Sequence, residues 1–302
     1  MRVLVLGGDG MLGHKVFQVL VPRFEMYATF MDPRGAWRAF PMYSDTPEER
    51  LVSRVDARLQ DSLVSALARV RPDVVVNCVG IIKQLPEASD PILALRLNAI
   101  FPHQLADLCE TAGARLIHMS TDCVFSGHTG GYTEDDLTDA EDLYGRSKAL
   151  GEVDRCTGLT IRTSIFGRDF LKQSALLEWF LAQRGGSVRG YRNAIFSGFP
   201  TQTLARIMGD VIERYPDLHG VLQIASAPIS KLDLLTLIRD AMGLNVAIEP
   251  YDDPPCDRSL DPARFLSLTG YTLPAWEEMA AELAADQTPY DDWRRRHAAI
   301  QG

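Results

Sequence analysis

No apolar stretch in this chain reaches the roughly 18 residues that a membrane-spanning helix needs, so no helical span is expected. Cysteine is scarce as well. Cys78, Cys109, Cys123, Cys156 and Cys256 are odd in number, widely scattered and never spaced Cys-x-x-Cys, which argues against a disulfide framework and a structural zinc site. Positive charge is in deficit: 31 Lys and Arg stand against 40 Asp and Glu, a formal net charge of −9. A general nucleic-acid binder is therefore not expected, and an anionic ligand would have to be met by local basic groups. The N-terminus lacks a signal-peptide pattern, since Val3-Leu4-Val5-Leu6 runs straight into Gly7; a cytoplasmic protein is the expectation. There is no internal repeat or low-complexity tract. What remains, 46% hydrophobic and 24% charged over 302 residues, suits one or two globular domains with a sizeable core.

The apolar run at residues 2–6 ends in Gly7-Gly8-Asp9-Gly10-Met11-Leu12-Gly13, and helical spacing follows from His14 to Leu20. Strand, glycine turn and helix are the context in which a dinucleotide fingerprint is read. Gly7 permits the tight turn, Gly10 lets the backbone approach a pyrophosphate, and Gly13 allows close helix–strand packing. Met11 and Leu12 sit where free helix N–H groups would meet phosphate. A second strand is expected over Met26–Met31. At its end Asp32 either binds the ribose hydroxyls of NAD or simply turns the chain before Pro33, whereas Arg34 or Arg38 would meet the 2′-phosphate of NADP. The choice leans to NADP(H) over NAD(H).

A helix over Asp61–Val70 stops near Pro72. Asp73-Val74-Val75-Val76-Asn77-Cys78-Val79-Gly80 is apolar without alternation, as a buried parallel strand is. Cys78, Val79 and Gly80 would line the cofactor. Lys83 beyond it either pairs with a diphosphate or lies exposed. Residues 90–112 read as mostly helical, with Asn98 on an apolar face where a polar group needs partners. Leu116 to Met119 forms a strand that breaks into Ser120-Thr121-Asp122-Cys123, placing Thr121 at a strand's C-terminal end. In the helix that follows, Tyr144 and Lys148 stand at i and i+4, about 5–6 Å apart at Cβ. The lysine charge is expected to pull the tyrosine pKa down towards working pH, making the phenol a proton-transfer group. Asp135, Asp136 and Asp139 cluster in the preceding loop but read as solvated carboxylates, and no metal site is expected.

Gly7-x-x-Gly10-x-x-Gly13, Ser120-Thr121-Asp122-x-Val124-Phe125-x-Gly127 and Tyr144-x-x-x-Lys148 together resemble an extended short-chain dehydrogenase/reductase, and more narrowly the dTDP-4-dehydrorhamnose reductase branch. The resemblance implies an α/β fold. A Rossmann-type doubly wound parallel sheet would occupy residues 1–167, with about 203–227 returning to it, and 168–302 would form a smaller C-terminal α/β substrate lobe. It also implies NAD(P)H-dependent reduction of a 4-keto sugar on a nucleotide carrier. Thr121 would hydrogen-bond the carbonyl, Tyr144 would deliver the proton, and Lys148 would hold the nicotinamide ribose. Asp56, with Ala57, would meet the adenine; Asn98 would brace the catalytic lysine through a backbone carbonyl and water; Phe166 would lie in the region closing over the nicotinamide. Asp122, Cys123, Arg192 and, as the best diphosphate clamp, Arg258 would face the substrate. Family members are often dimers, so a homodimer is an open expectation. Trp179 and Trp276 read as core residues. A 4,6-dehydratase is disfavoured because Cys123 follows Thr121-Asp122 where those enzymes carry an Asp-Glu pair. A nucleotide-sugar 4-epimerase and a non-catalytic dinucleotide-binding regulatory subunit remain the alternatives.

Overall fold

The computed structural model describes residues 1–33, 36–82, 89–170 and 175–301. Arg34 and Lys83 fall outside them. Seven strands form one sheet: β1 (Arg2–Leu6), β2 (Glu25–Phe30), β3 (Leu51–Ser53), β4 (Val74–Asn77), β5 (Arg115–Met119), β6 (Gly158–Arg162) and a seventh, Gly220–Gln223. They lie in the order β3-β2-β1-β4-β5-β6-seventh, and every pairing is parallel. This is the doubly wound sheet expected from the sequence; the helix Thr201–Arg214 leads into its seventh strand.

Strand composition follows from burial on both faces. Val3 and Val5 of β1 pack into one core cluster with Val16, Phe17 and Leu20 of the helix Met11–Leu20 and with Leu204, Met208 and Val211. Leu4 and Leu6 point the other way, onto Leu63, Leu67, Phe101 and Leu105 of the helices Gln60–Val70 and Phe101–Ala112. The chain reverses direction of winding between β1 and β4, and the crevice beyond the C-terminal ends of those strands is where doubly wound sheets bind ligands.

The second half pairs Ile165–Phe166 with Phe199–Pro200 and adds two further small sheets. One joins Ile229–Ser230, Ala194–Phe196 and Cys256–Asp257; the other joins Ala247–Tyr251 and Ser187–Tyr191. The chain then comes back to the first helix: Lys15 Nζ donates to Asp286 Oδ2 at 2.7 Å, and His14 Nε2 lies 2.8 Å from the Tyr290 hydroxyl. Two expectations are corrected. A short helix, Leu176–Leu181, gives way to a turn before Gly185 at φ +81°. On this short helix Trp179 is 40% exposed rather than core, whereas Trp276 is buried. The helical stretch 91–112 is also not uniform, because Leu95–Ile100 winds as a π-helix ahead of Pro102. Such wide turns recur at functional sites, and this one carries Asn98.

Candidate active site

The glycine turn forms one wall. Gly7 adopts φ +80°, and a Cβ on Gly13 would stand 2.0 Å from the Gly7 carbonyl oxygen, so neither position accepts a side chain. Gly10 caps the helix Met11–Leu20 without any side-chain hydrogen bond, leaving the first helical N–H groups open. An open helix N-terminus beside a tight glycine turn fits a dinucleotide pyrophosphate. No motif announced the groups that hold the turn. Gly7 N donates to Thr29 Oγ1 at 3.2 Å, Gly8 N to the Thr29 carbonyl at 2.9 Å, and the buried Tyr43 hydroxyl donates to the Gly8 carbonyl.

The facing wall comes from the end of β4. Asn77 Oδ1 accepts from Val79 N at 3.0 Å while its Nδ2 lies 3.0 Å from His118 Nδ1 on β5, which shapes the Cys78–Gly80 stretch. Burial pushes the Cys78 thiol up to about 12, with the Lys148 charge opposing, so it stays protonated. The Asn98 side chain has a task of its own. Its Oδ1 accepts from Ile81 N at 2.9 Å, and its Nδ2 donates to the Ile81 carbonyl at 3.1 Å and to Ser147 Oγ at 3.2 Å. Those bonds lock the Gly80–Ile81 turn to Ser147, the neighbour of Lys148.

Thr121 leaves β5 in an extended conformation; its Oγ1 accepts from Cys123 N at 3.1 Å and lies 3.1 Å from Asp122 Oδ1. Asp142 caps the helix Leu143–Leu150 by accepting from Gly145 N at 2.8 Å. Gly145 is what lets that helix approach, since a Cβ there would sit 2.1 Å from the Cys123 carbonyl oxygen. Tyr144 thereby joins Thr121 in the lining of one cleft. Lys148 is buried, and its Nζ donates to the Met119 carbonyl at 2.5 Å. Burial lowers its pKa to about 8, with the charges of Glu152 and Cys78 opposing. The expected electrostatics of Tyr144 need correction. Burial raises its pKa above the ordinary tyrosine value; Cys123 and Asp122 add to this and Thr121 opposes it. The lysine is turned to a backbone carbonyl, so desolvation of the phenolate outweighs its charge.

These residues line one cleft of about 450 Å³ together with Asp9, Gly10, Met11 and Leu12, Cys78 to Ile82, and Met119 to Cys123. Other expected residues stand elsewhere. Phe166 is buried against Phe196 and Trp276, and it is Ile165 that lines the cleft, because successive residues of the strand Ile165–Phe166 face opposite ways. Asp56, expected to meet the adenine, is gripped by Arg58, whose Nη2 lies 2.6 Å from its Oδ2; Ala57 packs against the core. Asp32 follows β2, with its carbonyl 3.5 Å from Trp37 Nε1, and Arg38 pairs with Glu48 at 2.7 Å. Arg192 pairs with Asp252 at 3.1 Å on an exposed strand end. Arg258 Nε donates to the Phe125 carbonyl at 2.9 Å, and its charge reaches Asp122 and Cys123 from behind the cleft wall. Of the loop carboxylates, Asp139 accepts from Ser126, Asp136 from Thr133, and Asp135 pairs with Arg264. Lys231, Phe196, Thr163 and Asp169 line the cleft without any sequence signal.

Behind the site a buried ion pair ties β5 to β6. Glu152 Oε1 accepts from Ser120 Oγ at 2.7 Å and from Arg162 Nε at 2.8 Å, and its Oε2 from Arg162 Nη2 at 2.7 Å; the two charged side chains are only 8% and 7% exposed. Removing one partner strands a buried charge. Glu152→Gln is therefore expected to destabilise the fold by about 3–5 kcal/mol, read as a lower urea midpoint. An unchanged midpoint would show that water already screens Arg162.

Fold and site together define a doubly wound α/β protein with a threonine, a tyrosine and a lysine gathered in one cleft beside an open glycine turn. The chain belongs to the family described as the RmlD substrate binding domain, whose model matches residues 1–287. It is 35% identical over 169 residues to a dTDP-4-dehydrorhamnose reductase of Streptomyces griseus, a match covering 54% of this chain and 49% of that protein. The match thus spans about half the length of that relative. It is 29% identical over 243 residues to a probable dTDP-4,6-dihydroxy-2-methyloxan-3-one 4-ketoreductase of Streptomyces antibioticus, covering 75% of this chain and 72% of that one. The crystal structure of a Bacillus anthracis dTDP-4-dehydrorhamnose reductase in complex with NADP shares the fold, with a TM-score of 0.74 at 21% identity over 93% of this chain and 98% of that chain.

Proposed function

We propose that this protein reduces the 4-keto group of a nucleotide-linked sugar with a nicotinamide dinucleotide, NADPH being the favoured donor. One observation carries the reading: the Tyr144 phenol, the Thr121 hydroxyl and the Lys148 ammonium line the same cleft as the open glycine turn. The relatives named as reductases support the substrate class, and the Bacillus anthracis neighbour with NADP supports the dinucleotide.

A reduced nicotinamide, when bound, supplies the hydride. Thr121 donates a hydrogen bond to the substrate carbonyl and holds it against Tyr144. The phenol, kept protonated by its raised pKa, gives its proton to the oxygen as negative charge develops there. Lys148, anchored by the Met119 carbonyl, keeps a positive charge beside the site and orients the dinucleotide ribose. The apolar walls, among them Ile81, Ile82, Met119, Ile165 and Leu176, exclude water from the reacting carbonyl.

The test is a panel of 4-keto sugars on dTDP and UDP carriers, assayed by loss of reduced-nicotinamide absorbance at matched NADPH and NADH. Turnover of at least one, faster with NADPH, is expected. Tightly held NAD with epimerised product and no consumption of free NADPH would make it an epimerase. Dinucleotide binding without turnover of any sugar would make it a non-catalytic subunit.

A further inference from the structure

The cleft carries a second ammonium that the proposed proton transfer does not use. Lys231 opens the helix Lys231–Ala241 directly after Ser230, whose Oγ accepts from Asp233 N at 3.0 Å. A cation in the first helical turn works against the helix dipole, so helix formation gives no reason for a lysine at this position. Its Nζ lies 3.8 Å from the centre of the Phe196 ring, and both side chains line the cleft with Thr121, Asp122, Cys123 and Tyr144. Among the described residues no carboxylate forms an ion pair with it.

Lys231 follows Ser230, which pairs with Ile195 in the small sheet that carries Phe196. Burial brings its pKa down to about 8, and the charges that oppose this belong to Asp122, Cys123 and Cys256, none of them on the dinucleotide wall. An ammonium held on an aromatic face in a half-enclosed cleft, in no ion pair with a described carboxylate, has room to take an anionic oxygen of a ligand. Arg192 and Arg258, also considered for that role, are engaged with Asp252 and with the Phe125 carbonyl.

We propose that Lys231 binds an oxyanion of the substrate and thereby sets which nucleotide sugars the cleft accepts, an inference that rests on the ketoreductase reading above. The oxyanion belongs either to the diphosphate or to a carboxylate on the sugar ring, and the two sources separate experimentally. Lys231→Met keeps an aliphatic stem on Phe196 and removes the charge; Lys231→Arg keeps the charge. Each variant and the wild type, loaded with NADP, are titrated by calorimetry with UDP, dTDP, UDP-glucose and UDP-glucuronic acid.

Lys231→Met is expected to weaken binding by about 10–100-fold, the range of one charge-assisted hydrogen bond, while Lys231→Arg recovers most of it. Equal weakening for all four probes assigns the diphosphate. Weakening confined to UDP-glucuronic acid assigns a ring carboxylate and an acidic sugar substrate. Unchanged affinity of Lys231→Met for every probe the wild type binds overturns the inference and leaves the ketoreductase reading standing. A wild type that takes up NADP and binds none of the probes overturns both. Lys231→Gln gives the same comparison if the methionine variant fails to fold.

Discussion

Tyr144→Phe is expected to bind NADPH with near-wild-type affinity and to lose about 10²–10⁴-fold in kcat, the usual contribution of a positioned general acid. The variant removes one oxygen from a ring whose backbone is fixed independently. Asp142 caps the helix, and Gly145 seats it against the Cys123 carbonyl. The loss should therefore fall on kcat, because the proton is transferred only as the transition state forms. Single-turnover hydride transfer on a reactive member of the sugar panel, beside fluorescence titration of NADPH, separates the two quantities. A variant that turns over at the wild-type rate would remove Tyr144 from the reaction and send the search for a proton donor to the other groups of the cleft.

Acid is expected to unfold the protein by a route that starts near neutral pH. His14 is fully enclosed between the Gly10 carbonyl and the Tyr290 hydroxyl, and burial lowers its pKa from 6.5 to about 3. His118, paired with Asn77 inside the sheet, is lowered in the same direction, also by burial. The folded protein keeps both rings neutral while the unfolded chain takes up protons below about pH 6.5. Their stabilising effect is thus complete above about pH 6.5 and declines as pH falls towards the folded values. Each ring removes up to about 1.4 kcal/mol per pH unit across that window. Urea midpoints at pH 7 and pH 5 should differ accordingly, and His14→Gln should flatten the dependence by about one proton. An identical slope in wild type and variant would mean that His14 is protonated in the fold.

The parts of the site that were legible in the sequence share one property: their geometry is decided within a few residues. Gly7, Gly10 and Gly13 lie in one turn, and the unbroken valines of β4 announce a strand buried on both faces. Tyr144 and Lys148 share a helical face by spacing alone. Thr121 follows a strand end that the change from apolar to polar residues marks. The parallel sheet was legible for the same reason, since strands separated by helical stretches leave few topologies open.

Tertiary structure alone decided what required distant segments to meet. Asn98 serves the Ile81 backbone and Ser147, and no spacing in the sequence brings those three together. Tyr43 closes on Gly8 from a stretch with no motif, and Phe166 gave its expected place in the cleft to Ile165 because a two-residue strand can present only one side chain to each face. The direction of the Tyr144 shift was likewise invisible. A neighbouring lysine can be read from sequence, but desolvation depends on everything that packs around the ring, and here desolvation is the larger effect. Lys231 reaches the cleft only because its helix is carried there by the small sheet that holds Phe196. The chain by itself determined a dinucleotide turn, a parallel sheet and a tyrosine–lysine pair, because hydrogen bonds and side-chain periods act over short distances. Which polar groups face one another, and which charges lose their water, came only with the packed fold, because burial is a property of the whole.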